Sequence, residues 1–491
     1  MTKLTRYLLV FAAFAMWPLG LLIGSYNTIL TAVVFLWINN MIYGFEKPRS
    51  RIIFLVFNFT YAVFLISRPL ISMLKGTEWW YSDWVHLSFS LVLLSVGLIF
   101  MQIGAVIGEK ITEKSERVAP KRARTLNEIR YREAYVRNLR IAAGVLFYFS
   151  FLFYMLMEGE KLLYVMSHSY LEYYSSFKSA MPYVVYVVSR FMPYTLCIFL
   201  ATYPKKLHAF LPLVLYVFSA IPSLLMGLRN PIVLNLIFCI VYYYMRDIYE
   251  NGTKWFGRFE RAVTALAAPA GIIMLGIFNY TRSGSESGLT SGFEVITDFF
   301  YKQGVSFDVL AIAHSVMDRL PVRPLRNYTF GGFLDYFLHG NLAQTLFGAA
   351  DLGDGNNVVM GTVSNSFSHN MSYLARGQDY LNGNGYGSSF LLETYVDFGF
   401  VGVALFSIVL GIFMIYMIKL AKKGTFGFAF VLICLTSLFF APRDAATGWL
   451  QFIVTAQFWL PTAFCWFFAA LFNKSYSIGF DNTERRKIYV V

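Results

Sequence analysis

Charge is what this chain has least of. Only 14% of its 491 residues are Asp, Glu, Lys or Arg, against about 25% in a typical soluble domain, so a water-exposed globular surface is excluded. Cysteine is equally sparse: Cys197, Cys239, Cys434 and Cys465 all lie inside apolar runs with no Cys-x-x-Cys or Cys/His spacing. That excludes a disulfide framework and a zinc site and leaves packing or lipid-facing roles. Nucleotide and metal signatures are missing too. There is no HExxH, no GxxxxGK[ST], no GxGxxG after a strand, and Asp351-Leu-Gly-Asp354-Gly lacks the spacing of an EF-hand. No cofactor, no metal and no nucleotide-driven step is expected, and no internal repeat is visible.

Apolar residues are what the chain does have, at 57%, with aromatics at 19%. They gather into blocks near residues 7–22, 27–43, 52–73, 86–107, 141–158, 183–203, 209–226, 232–248, 263–279, 399–418, 426–441 and 449–472. Each approaches the ~20 residues that cross a ~30 Å hydrocarbon core as a helix, so the expected fold class is an all-α polytopic membrane protein with about twelve transmembrane helices. Lys3 and Arg6 before the first block imitate a signal peptide, but no small-x-small cleavage pattern follows, and the block reads as an uncleaved first helix. The formal charge of +13 would suggest nucleic acid for a soluble domain. In a membrane protein its distribution decides instead, and no nucleic-acid partner is expected. With the N-terminus inside, the inward segments carry more than twice the Lys and Arg of the outward ones, which puts both termini in the cytoplasm.

Two connections are long. Residues 109–140 are strongly basic and read as an interfacial helix held by anionic lipid on the cytoplasmic side. Residues 280–398, richer in acids than bases, read as an extracytoplasmic loop subdomain between helices 9 and 10. It includes an amphipathic stretch (Thr297 to Leu320) and a Gly/Asn-rich stretch (Asn382 to Ser389). The organisation is then 1–279 with helices 1–9, the subdomain 280–398, 399–472 with helices 10–12, and a cytoplasmic tail 473–491.

Arginine placement carries the strongest chemical signal. A charge at helix centre costs ~2.5–3.5 kcal/mol on insertion scales, so an intramembrane Arg is a functional candidate. Arg68 and Arg190 fall in the outer halves of their helices. Arg229 (in Met226-Gly-Leu-Arg-Asn-Pro-Ile232), Arg282 (after the ninth helix) and Arg443 (in Ala441-Pro-Arg-Asp444) fall at outer turns. Five arginines thus meet one membrane level on the side where cations are scarce. The planar, permanently charged guanidinium suits phosphate oxygens at a lipid boundary, so a lipid-linked phosphate or pyrophosphate is the expected ligand; snorkelling, or pairing with an acid such as Asp444, is the plainer reading of any one of them. For proton transfer the candidates are His369 in Ser366-Phe-Ser-His-Asn-Met371, since imidazole titrates near ~6.5, and the acids bracketed by apolar residues, Asp308, Glu393 and Asp397. Gly383-x-Gly385-x-Gly387 is either a hinge or a backbone cradle for phosphate.

The twelve-span pattern, the late outer loop, Gly-x-Arg-Asn-Pro (Gly227 to Pro231), Gln303-Gly-Val-Ser306 and Gly385-Tyr-Gly-Ser-Ser-Phe-Leu-Leu-Glu393 followed by Tyr395-Val-Asp-Phe-Gly399 together resemble the O-antigen and capsule polysaccharide polymerases of the Wzy type. The resemblance implies a membrane glycosyltransferase of the bacterial cytoplasmic (inner) membrane that joins undecaprenyl-pyrophosphate-linked repeat units. Its implied partners are a lipid-linked donor and acceptor, a chain-length regulator and a flippase. From their placement, Arg229, Arg282 and Arg443 are expected as pyrophosphate ligands, with Arg190 and Arg68 as deeper supports, and His369 or Glu393 as base. The family's Arg-x10-Gly pattern matches Arg376 to Gly387, and Arg282 misses it by one residue, at Gly292. The related O-antigen ligases follow His-Asn by Gly-x-x-Gly after nine residues, a spacing that His369-Asn370 and Gly399 to Gly402 do not keep. A ligase-like transferase and a non-enzymatic flippase or transporter are the alternatives; a transporter would show two-half symmetry, which the sequence lacks.

Overall fold

The computed structural model describes residues 2–81, 83–118, 126–249, 254–283 and 292–488, with side chains described for these except at 2, 115–118, 126–127, 267–270, 275, 277–283 and 474–488. Among the described residues every regular element is helical, the arrangement that pairs each backbone N–H and C=O within its own segment. In chain order the long helices are α1 (Thr2–Leu22), α2 (Tyr26–Glu46), α3 (Pro48–Lys75), α4 (Trp84–Val118), α5 (Leu126–Ser167), α6 (Tyr183–Ala201), α7 (Lys206–Leu225), α8 (Asn230–Tyr249) and α9 (Arg258–Ser283). Then come α10 (Gly292–Gln303), α11 (Ser306–Val316), α12 (Phe367–Arg376), α13 (Phe390–Lys422), α14 (Thr425–Arg443) and α15 (Ala456–Ile488). Ten helices among the described residues are long and apolar enough to span, and Gly448–Val454 with the start of α15, bent by 60°, makes an eleventh. The remaining apolar block, 263–279, lies in α9, where several side chains fall outside the described set.

The basic stretch 109–140 is not a separate surface helix. Residues 109–118 continue α4 and 126–140 begin α5, because neither run contains the Gly or Pro that would stop a helix leaving the membrane; 119–125 lie outside the described residues.

Polar contacts sort the bundle into two ends. At one, Lys47 and Arg51 donate to Glu109 at 2.5 and 2.6 Å, Arg140 to the Thr202 carbonyl at 2.6 Å, Arg246 to that of Pro204 at 2.9 Å, and Tyr249 to that of Ile418 at 2.8 Å. At the other, Ser67 donates to the Phe300 carbonyl at 2.8 Å and Arg68 pairs with Asp308 at 2.8 Å. Arg51 and Arg68 stand seventeen residues apart on α3, roughly 25 Å at 1.5 Å per residue, so the basic end and the loop end lie a membrane's thickness apart.

Helices α4 and α13 form the tightest pair, and glycine is the reason. A Cβ on Gly104 would strike the Ile408 carbonyl, and one on Gly411 would strike that of Met101; small residues let two backbones approach in this way. Gly399 interrupts α13 with φ 64° and ψ −164°, a conformation open to glycine. It sets residues 390–398 at an angle to the rest. That first segment fastens the loop end: Asp397 accepts from the amides of Tyr328 and Thr329 at 2.8 and 2.6 Å and from the Thr329 hydroxyl at 2.7 Å. Residues 292–389 fold as short helices and turns over this end. Asn370 is buried among them, accepting from Tyr328 at 2.9 Å and Arg323 at 3.0 Å.

Candidate functional site

Three of the predicted arginines converge on one segment, Phe299 to Gly304. Arg68 lies with its guanidinium 4.5 Å from the Tyr301 ring centre while pairing with Asp308. The backbone of Gly304 passes so near that a Cβ there would meet the Arg68 amide. Arg229 lies 5.9 Å from the Phe299 ring. Arg443 donates to the Gln303 carbonyl at 3.4 Å and lies 5.9 Å from the Phe64 ring, within electrostatic range of Arg229. Asp444 spends Oδ1 on the amide of Ala445 at 2.8 Å, so Arg443 does not depend on it. A π-helical turn at Ala62–Ile66 in α3, a distortion common at functional sites, brings Phe64 and Arg68 to this cluster.

Next to the arginines is a cavity of about 500 Å³ lined by Tyr170, Tyr174, His369, Tyr380, Tyr386 and the glycine loop 383–387. Gly387 is the common wall, since a Cβ there would lie 3.3 Å from the Arg443 carbonyl. His369 Nδ1 is 2.9 Å from the Tyr380 hydroxyl, and that hydroxyl donates to the Asn357 carbonyl at 3.4 Å. With the phenol proton on Asn357 the imidazole donates from Nδ1 and Nε2 is basic; with the phenol proton on the shorter contact Nδ1 accepts and Nε2 carries the proton. Burial lowers the His369 pKa below its ordinary value and pushes the Tyr380 phenol up to about 12. Both effects favour a neutral imidazole beside a protonated tyrosine.

The other predicted residues lie elsewhere. Arg376 pairs with Asp379 at 2.5 Å and stacks 4.2 Å from the Tyr386 ring, shaping the glycine loop from behind. Arg190 stands exposed at a break in α6, before Pro193, and lines a neighbouring cavity. Glu393 is 2% exposed, and its two oxygens accept from the Ser388 hydroxyl and the Ala446 amide, each at 2.7 Å, which ties α13 to the turn after α14. The side chain of Arg282 lies outside the described residues. Asp308 is the acid facing Arg68, and burial raises its pKa to about 6 against the pull of that arginine.

Sequence reasoning passed over Glu158 and the tyrosines of 164–186. Glu158 is 5% exposed, bound by Lys161 at 2.5 Å and by Ser223 at 3.0 Å. The available signal was a run of six tyrosines (164, 170, 173, 174, 183, 186) next to an acid at the end of an apolar block.

A family model described as O-antigen polysaccharide polymerase Wzy matches residues 5–476. No curated protein and no solved structure matches the chain.

Proposed function

Because the chain belongs to the O-antigen polysaccharide polymerase Wzy family, we propose that it moves a growing glycan from one undecaprenyl pyrophosphate carrier to the non-reducing end of the next lipid-linked repeat unit, at the outer face of the bacterial cytoplasmic membrane. The observation that carries this reading is the convergence of Arg68, Arg229 and Arg443 on Phe299 to Gly304 beside the His369 cavity. Arg68 is held by Asp308; Arg229 and Arg443, which lie against Phe299 and the Gln303 carbonyl, are assigned to the donor's pyrophosphate as charge-assisted donors. An apolar groove lined by Phe59, Val63, Phe64, Leu234, Ile237 and Phe300 meets the arginine cluster at Phe299 and Gln303 and suits an isoprenoid tail.

In the reaction an acceptor hydroxyl oxygen bonds to the donor's anomeric carbon as the bond from that carbon to pyrophosphate breaks. The electron pair leaves on pyrophosphate oxygen, where Arg229 and Arg443 stabilise it. The hydroxyl proton passes to Nε2 of His369 in the tautomer that carries its proton on Nδ1, with the imidazole as general base. Both carriers float in one membrane, so proximity comes from the plane itself. No metal, cofactor or nucleotide enters the scheme; both termini face the cytoplasm, and a flippase and a chain-length regulator act before and alongside it.

The test is direct binding. Native mass spectrometry of the purified protein with undecaprenyl pyrophosphate is expected to show a bound lipid that is lost in Arg443→Ala and in Arg229→Ala. Equal retention in both variants overturns the assignment.

A further inference from the structure

The second cavity at the loop end, about 330 Å³, is lined by Glu158, Lys161, Tyr173, Tyr174, Arg190 and Gly355 among others. It adjoins the His369 cavity, because Tyr174 and Gly355 line both. The amide of Asn356 donates to the Tyr174 carbonyl at 2.8 Å, so the shared wall is a fixed joint between the tyrosine-rich segment and the loop subdomain.

Its chemistry differs from that of the arginine cluster. Two cations, Lys161 and Arg190, meet two acids, Glu158 and Asp354, so the cavity has no net charge with which to select an anion. Glu158 and Arg190 both lie close enough to act on the Tyr173 hydroxyl, and Arg190 lies 5.0 Å from the Tyr186 ring. Aromatic faces alternate with charged groups that accept and donate hydrogen bonds. That combination fits a neutral polyol with apolar ring faces: the tyrosines cover the C–H faces, and the charged groups take the hydroxyls.

We propose that this cavity is the seat of the acceptor glycan, with Glu158 and Arg190 as the residues that grip its hydroxyls. The assignment rests on the polymerase reading of the neighbouring site. The order of shared walls gives the direction. Arg443 meets the His369 cavity at Gly387, and the Glu158 cavity meets it at Tyr174 and Gly355. A donor held at Arg229 and Arg443 and an acceptor held at Glu158 therefore reach the imidazole from separate walls. Glu158 and Arg190 are positioning residues, and their effect belongs on acceptor affinity.

The experiment uses the full-length protein in nanodiscs with two readouts. Transfer is measured between a lipid-linked oligomer as donor and a lipid-linked single repeat unit as acceptor, both from the host membrane. Saturation-transfer NMR follows binding of the free oligosaccharide that mild acid releases from the same lipid. Glu158→Gln and Arg190→Ala are each expected to raise the acceptor KM about tenfold, with kcat and the donor KM within twofold of wild type, and to abolish the NMR signal. Arg190 is exposed, so Arg190→Ala keeps the test decisive if Glu158→Gln does not fold. An unchanged acceptor KM in the variants, or an effect on the donor KM alone, overturns the glycan seat and leaves the polymerase reading intact. Oligosaccharide binding that Arg190→Ala abolishes, in a wild-type protein that transfers nothing, keeps the glycan seat and overturns the polymerase reading.

Discussion

At the scale of single residues, the arginines near the loop end differ in what holds them: Arg68 pairs with Asp308, and Arg443 donates to the Gln303 carbonyl. Insertion cost alone singles out Arg68 and Arg190, yet one pairs with an acid 240 residues away and the other stands at a helix break. Only tertiary contacts show which acid or ring each arginine meets. Arg229→Ala and Arg443→Ala are each expected to cost about 1.5–3 kcal/mol, the worth of a charge-assisted hydrogen bond, or roughly a 10- to 150-fold loss of transfer rate. Lysine at either position rescues only in part because it lacks the planar fork. Chain-length profiles at matched protein levels are the measurement, and wild-type ladders in both alanine variants refute the role. His369→Ala removes a base worth ~10²–10⁴-fold; a loss under tenfold in initial rate takes His369 out of the chemistry. Its neighbours Tyr380 and Asn357 were not legible, since the sequence gives no hint that they meet.

At the scale of elements, the apolar blocks read well because lipid leaves the backbone one economical choice. At 109–118 and 126–140 the structure continues α4 and begins α5 in place of a separate helix, because basic composition looks the same on an interfacial helix and on the end of a long one. The burial of Glu393 between two donors is a matter of packing that the sequence does not carry. Glu393→Ala strands the Ser388 hydroxyl and the Ala446 amide, at about 1–3 kcal/mol each. The expected result is a lower melting temperature with near-normal turnover per folded molecule, and a large loss of turnover in fully folded protein makes Glu393 part of the chemistry instead. A second clasp joins α4 to α11: the Nδ1 atoms of His86 and His314 are 2.6 Å apart, and Phe89 stacks on His314 at 3.9 Å. Burial, then the proximity of His86, lowers the His314 pKa below its ordinary value. As pH falls, the unfolded chain takes up this proton before the folded one does, so the stability is present above about 6.5 and is lost as pH drops from there through the folded pKa. Melting curves between pH 8 and 5 are expected to show a shallower acid slope in His314→Gln than in wild type. Equal slopes remove the clasp as a pH-sensitive element.

At the scale of the whole molecule, the candidate sites gather at the loop end, but how the chain extends a polymer is a question of energy supply. Transfer from one lipid pyrophosphate to another conserves no nucleotide. In the proposed reaction, cleavage of the glycosyl pyrophosphate bond would drive each addition, with leaving-group stabilisation by Arg229 and Arg443 as its main electrostatic contribution. Purified protein in liposomes, given only lipid-linked repeat units with chelator present and no nucleotide or ion gradient, is expected to build a ladder of longer lipid-linked glycans. A flippase or transporter would leave substrate length unchanged while moving the lipid across the bilayer. A ligase-like transferase would extend a different acceptor once and stop. Length and sidedness measured in the same vesicles therefore separate the three: a ladder that forms without translocation supports polymerisation, whereas translocation without a ladder, or a single addition, refutes it.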